Sequence, residues 1–298
     1  MRAETPSRTA AWVAAARGMA RLLPAELRLA DDPFGEAFAD DLVSRAMGAV
    51  VDRLPLMRVP GLNAWVLYMQ VRTRVLDDAV RAFTAAGGRQ LVLLGAGYDC
   101  RALRLPELEL DDARVFEVDH PATQGHKKAV LARLGAASPA RYVTWNFEER
   151  PLAELPGALA AAGLDPAAPT LTIWEGVTMY LTEPAIDASL RAIRAWSGAG
   201  SQLAMTYFAR SRGARPSLRT RAVQALVARA GEPWRWGWIP DELPAYLRDR
   251  GWDLARDVAM AEAAHELLPP ARARLVGGLD RRIALANAPE SIAIAGRD

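Results

Sequence analysis

The chain has 298 residues, 51% hydrophobic and 24% charged, with mean hydropathy near zero, a composition that excludes a disordered or fibrous protein. The 37 basic and 35 acidic residues leave a net charge of +2, too small for a general attraction to nucleic acid or to an anionic membrane. All of the basic residues except Lys127 and Lys128 are arginine, which reads as base composition rather than a phosphate-binding surface; the single cysteine, Cys100, excludes an intrachain disulfide and a cysteine-based zinc cluster and fits a reducing compartment.

The small apolar stretch Ala10 to Ala16 follows Glu4 and is broken by Arg17 and Arg21, so it reads as a helix start and not as a secretory signal. No apolar run approaches the roughly 20 residues that a bilayer span needs. A cytoplasmic protein without a membrane partner is expected. Up to about Leu56 the pattern is helical, with Phe34, Phe38, Leu42, Ala46 and Val50 recurring every four residues and Asp31 and Asp32 suited to cap the first turn. A second helix is predicted from about Asn63 to Ala86, stopped by Gly87-Gly88.

The period then changes. Gln90 to Leu94 is a continuous apolar run, the pattern of a strand covered on both faces, and Arg114 to Val118, Arg141 to Trp145, Thr170 to Ile173 and Ser201 to Tyr207 follow in kind. Helix-length stretches separate them at Pro121 to Leu134, Pro151 to Ala162 and Glu183 to Trp196, which predicts a parallel, doubly wound α/β sheet. Beyond a basic connector (Arg210 to Pro216) come a helical stretch, three alternate tryptophans (Trp234, Trp236, Trp238) and a helix from about Pro240 to Arg250. Two last strands, Trp252 to Ala259 and Arg281 to Ala286, are expected to pair antiparallel at the sheet edge, across a segment too weakly patterned to assign.

Leu93-Leu-Gly-Ala-Gly-Tyr-Asp99 places a glycine turn directly after the first strand, where the backbone can approach a ligand closely. A dinucleotide fingerprint wants a third glycine three residues after the second; Cys100 stands there, and Asp99 would repel a pyrophosphate while suiting a cofactor with cationic groups. The pattern favours S-adenosylmethionine over NAD. The second strand ends in Phe116-Glu-Val-Asp-His-Pro121, and Asp119 lies 24 positions after Gly95, either to accept from both ribose hydroxyls or to cap the helix that begins at Pro121. Glu117 is read as pointing to the other face, with a structural role.

The chain resembles the leucine carboxyl methyltransferase family of class I S-adenosylmethionine-dependent enzymes, in its bacterial branch. The resemblance rests on Pro6-Ser-Arg-Thr-Ala10, Asp32-Pro-Phe34, Arg72-Thr-Arg-Val-Leu-Asp-Asp78, Leu94-Gly-Ala-Gly-Tyr-Asp-Cys-Arg101, Phe116-Glu-Val-Asp119, Glu175-Gly-Val-Thr-Met-Tyr180 and Gly231-Glu-Pro-Trp234. It implies a Rossmann-like, mostly parallel, seven-stranded sheet with an N-terminal helical lid. Residues 1–88 would form the lid and substrate region, and 89–298 the cofactor-binding core, with a helical insertion at about 210–250. Carried over by motif, Arg8 and Arg72 would clasp the methionine carboxylate, Gly95, Ala96 and Gly97 would face the cofactor, Asp119 the ribose, Asn146 and Phe147 the adenine, and Glu175 the ammonium group. Asn146 departs from the family's acidic residue, although its amide oxygen can still accept. Glu175 could instead cap the helix near Thr182, which starts too far away to favour that.

Arg74, Tyr180 and Tyr207 are the candidates to position the acceptor, by neighbourhood alone. Cys100 is read as packing, and His120, His126 and His265 are spaced wrongly for a metal site. The tryptophans, with Trp65 and Tyr68, could line a substrate box or simply pack. The expected reaction is methylation of a carboxylate on a small molecule such as a polyketide-type acid; the alternatives are a phenolic hydroxyl or a protein C-terminal carboxylate as acceptor, an NAD-dependent oxidoreductase, and an inactive cofactor-binding protein. A monomer or homodimer is expected.

Overall fold

The computed structural model describes residues 6–39, 49, 55–210, 235–277 and 281–289. Its apolar runs become β1 (Gln90–Leu94), β2 (Arg114–Asp119), β3 (Arg141–Thr144), β4 (Thr170–Trp174), β5 (Gln202–Phe208), β6 (Asp253–Ala259) and β7 (Arg281–Asn287). They form one seven-stranded sheet in the order β3-β2-β1-β4-β5-β7-β6. The first five strands are parallel, and β7 enters antiparallel between β5 and β6.

Alternation along these strands builds two cores. Val92, Leu94, Phe116, Val118, Trp174, Leu203 and Met205 face one side, and Leu91, Leu93, Val115, Leu171, Ile173 and Ala204 the other. Helices α1 (Arg8–Gly18) and α2 (Leu62–Ala85) belong to the second side, where Ala16, Val66, Leu67 and Val71 join the cluster under β1 and β4. Among the remaining helices are α3 (Arg101–Arg104), α4 (Pro106–Leu110), α5 (Pro121–Arg133), α6 (Leu155–Ala161), α7 (Glu183–Ala195) and α8 (Leu243–Arg248). Leu155, Leu159, Ile186, Leu190, Ile193, Leu243 and Leu247 from α6, α7 and α8 pack on the first side.

The segment without a sequence pattern folds into α9 (Met260–Leu267) and α10 (Pro270–Val276), which pack on α2. The predicted helix after Phe34 is described only as a 3-10 turn, Gly35–Phe38; Leu42, Ala46 and Val50 lie outside the described residues, as do Trp234 and most of the basic connector. Helix α2 stops as the glycines require: Gly87 has φ +92°, and the N–H groups of Gly87 and Gly88 donate to Thr84 and Phe83.

Glu117 is two residues from Asp119 and so shares its side of β2, correcting the expected opposite face. Its role is structural nonetheless. Lys127 Nζ on α5 donates to Glu117 Oε2 at 2.5 Å and to the Asp99 carbonyl, with both side chains 1% exposed. Burial by itself would lower the Lys127 ammonium, but Glu117 outweighs it and raises it. Lys127→Met is expected to cost about 3–5 kcal/mol in urea unfolding by leaving Glu117 buried without a counter-ion; adding Glu117→Leu should restore most of that loss.

Candidate active site at the carboxyl edge of the sheet

Where β1 ends, Gly95 (φ +70°) and Gly97 (φ +52°) take left-handed conformations that an L side chain resists. The Gly95 and Ala96 N–H groups donate to the Val118 carbonyl at 2.9 and 3.1 Å. A Cβ on Gly95 would stand 2.7 Å from Val177 Cγ2, and one on Gly97 would stand 3.1 Å from Ala10 Cβ. The turn is thus held between the end of β2 and helix α1. It lines a cavity of about 510 Å³ with Asp119, Asn146, Phe147, Glu175 and Arg72.

Asp119 Oδ2 accepts from Gly97 N and Oδ1 from His120 N, both at 2.6 Å. Burial raises its carboxyl above the ordinary value against the pull of those two N–H groups. The capping role left open for Asp119 falls to His120, whose Nδ1 accepts from Ala122 N at 3.2 Å at the start of α5.

At the end of β4, Glu175 forms ion pairs with two arginines, Arg72 Nη2 standing 2.7 Å from Oε1 and Arg101 Nη1 donating to Oε2 at 2.8 Å. Arg101 also pairs with Asp99 and, at 2.8 Å, with Asp77, which Arg104 grips through both terminal nitrogens at 2.6 and 2.7 Å. Nearby, Arg17 Nε donates to Asp32 at 2.8 Å and Nη2 to the Tyr98 carbonyl at 2.7 Å, joining α1 to the glycine turn. Four arginines and four carboxylates therefore balance in a largely buried cluster. Burial by itself would raise the Glu175 carboxyl, but Arg72, Arg101 and Arg17 outweigh it and hold it well below the usual carboxylate range. Arg72 Nε is buried with no hydrogen-bond partner among the described residues.

A family model for leucine carboxyl methyltransferase matches residues 10–194. A Streptomyces avermitilis protein named "Putative S-adenosyl-L-methionine-dependent methyltransferase" is 37% identical over 213 residues, 70% of this chain and 72% of its own. A Mycobacterium ulcerans protein with the same descriptive name is 36% identical over 287 residues, 88% and 85% of the two chains. The chain belongs to the leucine carboxyl methyltransferase family. A crystal structure from Thermobifida fusca, described as "a putative methyltransferase", covers 96% of both chains with a TM-score of 0.59 at 18% identity and shares the fold.

Of the expected site residues, Arg72, Gly95, Ala96, Gly97, Asp119, Asn146, Phe147 and Glu175, carried over by family resemblance, and Tyr180, chosen by neighbourhood, line one cavity. Phe147 keeps its ring 42% exposed there, while Asn146 Oδ1 already accepts from Glu148 N at 3.1 Å in a local turn. Three others stand elsewhere. Arg8 is exposed, with its guanidinium 5.9 Å from the Trp12 ring, whereas Ser7 of the same motif caps α1 by accepting from Ala10 N. Arg74 is about 200° around α2 from Arg72 and pairs with Asp78 at 2.8 Å outside the cavity. Tyr207 donates to Asp257 Oδ2 at 2.8 Å and packs edge-on against Trp238, on the side of the sheet away from the cavity.

The tryptophans divide: Trp65 lines the cavity, while Trp238 is buried against Tyr207, Trp236 and Tyr246. Cys100 is 1% exposed and burial pushes its thiol up to about 12, which suits packing and not nucleophilic work. Cavity residues that sequence reading missed include Trp12, Arg17, Arg235 and Arg281.

Because the folded-state value of Glu175 lies below that of the unfolded chain, its stabilisation is complete above the unfolded value of about 4.3 and is lost as pH falls through the lower folded value. Glu175→Gln should therefore be less stable than the parent at pH 7 in denaturant titrations. The deficit should begin to shrink below about pH 4; a deficit constant from pH 7 to 3 would contradict the ion cluster.

Proposed function

We propose that this family member transfers a methyl group from S-adenosyl-L-methionine to the carboxylate of a small molecule. The carrying observation is the Arg72–Glu175 pair, 2.7 Å apart, on the wall of the cavity that also holds the Gly95–Gly97 turn and Asp119. An α-amino-acid tail bears one positive and one negative charge, so it can enter a balanced cluster without leaving a net buried charge. Arg72 Nε is the donor left for its carboxylate, and Glu175 is the acceptor for its ammonium group. Asp119 would take the ribose, and the exposed ring of Phe147 would cover the adenine. The carboxylates of Asp99 and Asp119 beside the turn oppose a pyrophosphate, which speaks against a nicotinamide dinucleotide.

When bound, the cofactor would supply a methyl group on a positively charged sulfur, so that the acceptor oxygen would gain an O–C bond as the S–C bond broke with its electron pair left on sulfur, and no proton would move. The chain's work is alignment and exclusion of water. Leu93, Ile173, Val13 and Met179 supply apolar wall, and Tyr180 stands at the cavity where the acceptor would enter. A carboxylate is ionised at neutral pH and needs no base. In keeping with that, His120, the one histidine among the described cavity residues, uses its Nδ1 in capping α5.

Asp119→Ala should weaken S-adenosylhomocysteine binding by about 1.5–3 kcal/mol for each charge-assisted hydrogen bond lost, measured by isothermal titration, and Arg72→Ala should weaken it with the fold retained. Unchanged affinity in both variants would remove the cofactor assignment. With tritiated cofactor and a panel of carboxylic acids, the label should be released as volatile methanol on treatment with base. Base-stable label would instead point to a phenolic ether.

A further inference from the structure

The carboxyl edge of the sheet presents its residues in strand order. Asp119 ends β2, Gly95–Gly97 follow β1 and Glu175 follows β4. The next two strands are β5 and β7, and because β7 runs antiparallel its first residue, Arg281, pairs with Phe208 at the end of β5 on that same edge. Two strand spacings put β7 about 10 Å beyond β4. Arg281 nevertheless lines the same cavity as Glu175 and Gly95. On the reading that adenosine lies over β2 and β1 and the methionine tail over β4, the β7 end is where an acceptor remains to be held.

The surroundings of Arg281 are unusual for an arginine. It is 7% exposed, and its guanidinium lies 4.6 Å from the Tyr68 ring centroid, 5.0 Å from Phe208 and 5.4 Å from Trp65. Three flat apolar rings hold the cation in place, and the attraction between a guanidinium and ring faces fixes its orientation. The Tyr68 ring lies beside both guanidinium groups, 4.6 Å from Arg281 and 5.6 Å from Arg72, so one side chain links the proposed methionine end to the β7 end. Burial by itself would raise its phenol, but the two arginines outweigh it and lower it. A guanidinium carries five N–H donors, more than the Tyr68 hydroxyl can engage, so at the cavity wall it can also donate to an anionic occupant, and Trp65 beside it offers a flat apolar surface.

We propose that Arg281 anchors the methyl acceptor, and that the acceptor is a carboxylate carried on a flat apolar body that lies against Trp65. This rests on the cofactor reading above, and it concerns a residue beyond position 194, where the match to the family model ends. The substrate would then be selected by a part of the chain that the family model does not include.

The test uses the full chain saturated with S-adenosylhomocysteine and two probes of equal shape, 2-naphthoate and 2-naphthamide, followed by isothermal titration. The acid should bind at least about ten-fold more tightly than the amide, as a charge-assisted hydrogen bond requires. Arg281→Gln should abolish that preference while binding S-adenosylhomocysteine like the parent, and Arg281→Lys should restore part of it. Equal affinity for acid and amide, binding by neither at millimolar concentration, or a preference that survives in Arg281→Gln would overturn the proposal. Loss of S-adenosylhomocysteine binding by the parent chain would instead fail the cofactor reading. A thermal melt of each variant separates a lost anchor from a lost fold, because Arg281→Lys and Arg281→Gln both remove the planar fork from among the rings but differ in charge.

Discussion

The site depends on a charge balance that could not form in water and is costly to leave incomplete in a protein interior. Arg72 and Arg101 converge on Glu175, Arg101 and Arg104 on Asp77, and Arg17 reaches Asp32 and the Tyr98 carbonyl. The arginines come from three helices, Arg17 from α1, Arg72 from α2 and Arg101 and Arg104 from α3, and the carboxylates come from the sheet edge and from the chain around α1 and α2. Once these groups are withdrawn from solvent, each holds the next in place, since an unpaired member would carry the full cost of its desolvation. The N-terminal helices are therefore tied to the glycine turn electrostatically as well as through the apolar cluster beneath them.

That arrangement explains how one edge can serve two chemically different ends. Around β2, β1 and β4 the polar groups are carboxylates close to the main chain, with Arg72 paired to Glu175, suited to a ligand that carries hydroxyl groups and an amino-acid tail. Toward β7 the cavity wall carries Arg281 and Trp65, with the Tyr68 and Phe208 rings packed around the guanidinium. The antiparallel entry of β7 produces this contrast, because only its start, and not its end, reaches the edge.

Much of the fold was legible because the sheet is buried on both faces. The five parallel strands were found within a residue or so of their observed ends, since a run such as Gln90 to Leu94 has no polar alternation to confuse it. Helices α9 and α10 were not legible: each spans only two turns or so, and Pro269-Pro270 interrupts the pattern. In the site, residues tied to a strand end were readable, Gly95, Asp119 and Glu175 among them, because strand position fixes where they stand. Arginines were not. In a chain whose basic residues are nearly all arginine, Arg17 and Arg281 look no different from exposed Arg8 or Arg74, and helix phase or strand parity decides between them. Tyr207 and Phe208 show the same point: adjacent in sequence, they face opposite sides of the sheet, and Phe208 is the one beside Arg281.

The placement of β7 also bears on how the molecule is made. A strand formed by residues 281–287 lies inside the sheet, between β6, made shortly before it, and β5, made long before it. Until it arrives, β5 carries an open row of unpaired amides, the kind of edge on which nascent chains adhere to one another. Biosynthesis therefore assembles the cofactor half first and closes the sheet last, and a message cut short ahead of this strand would yield a sticky product rather than a merely inactive one.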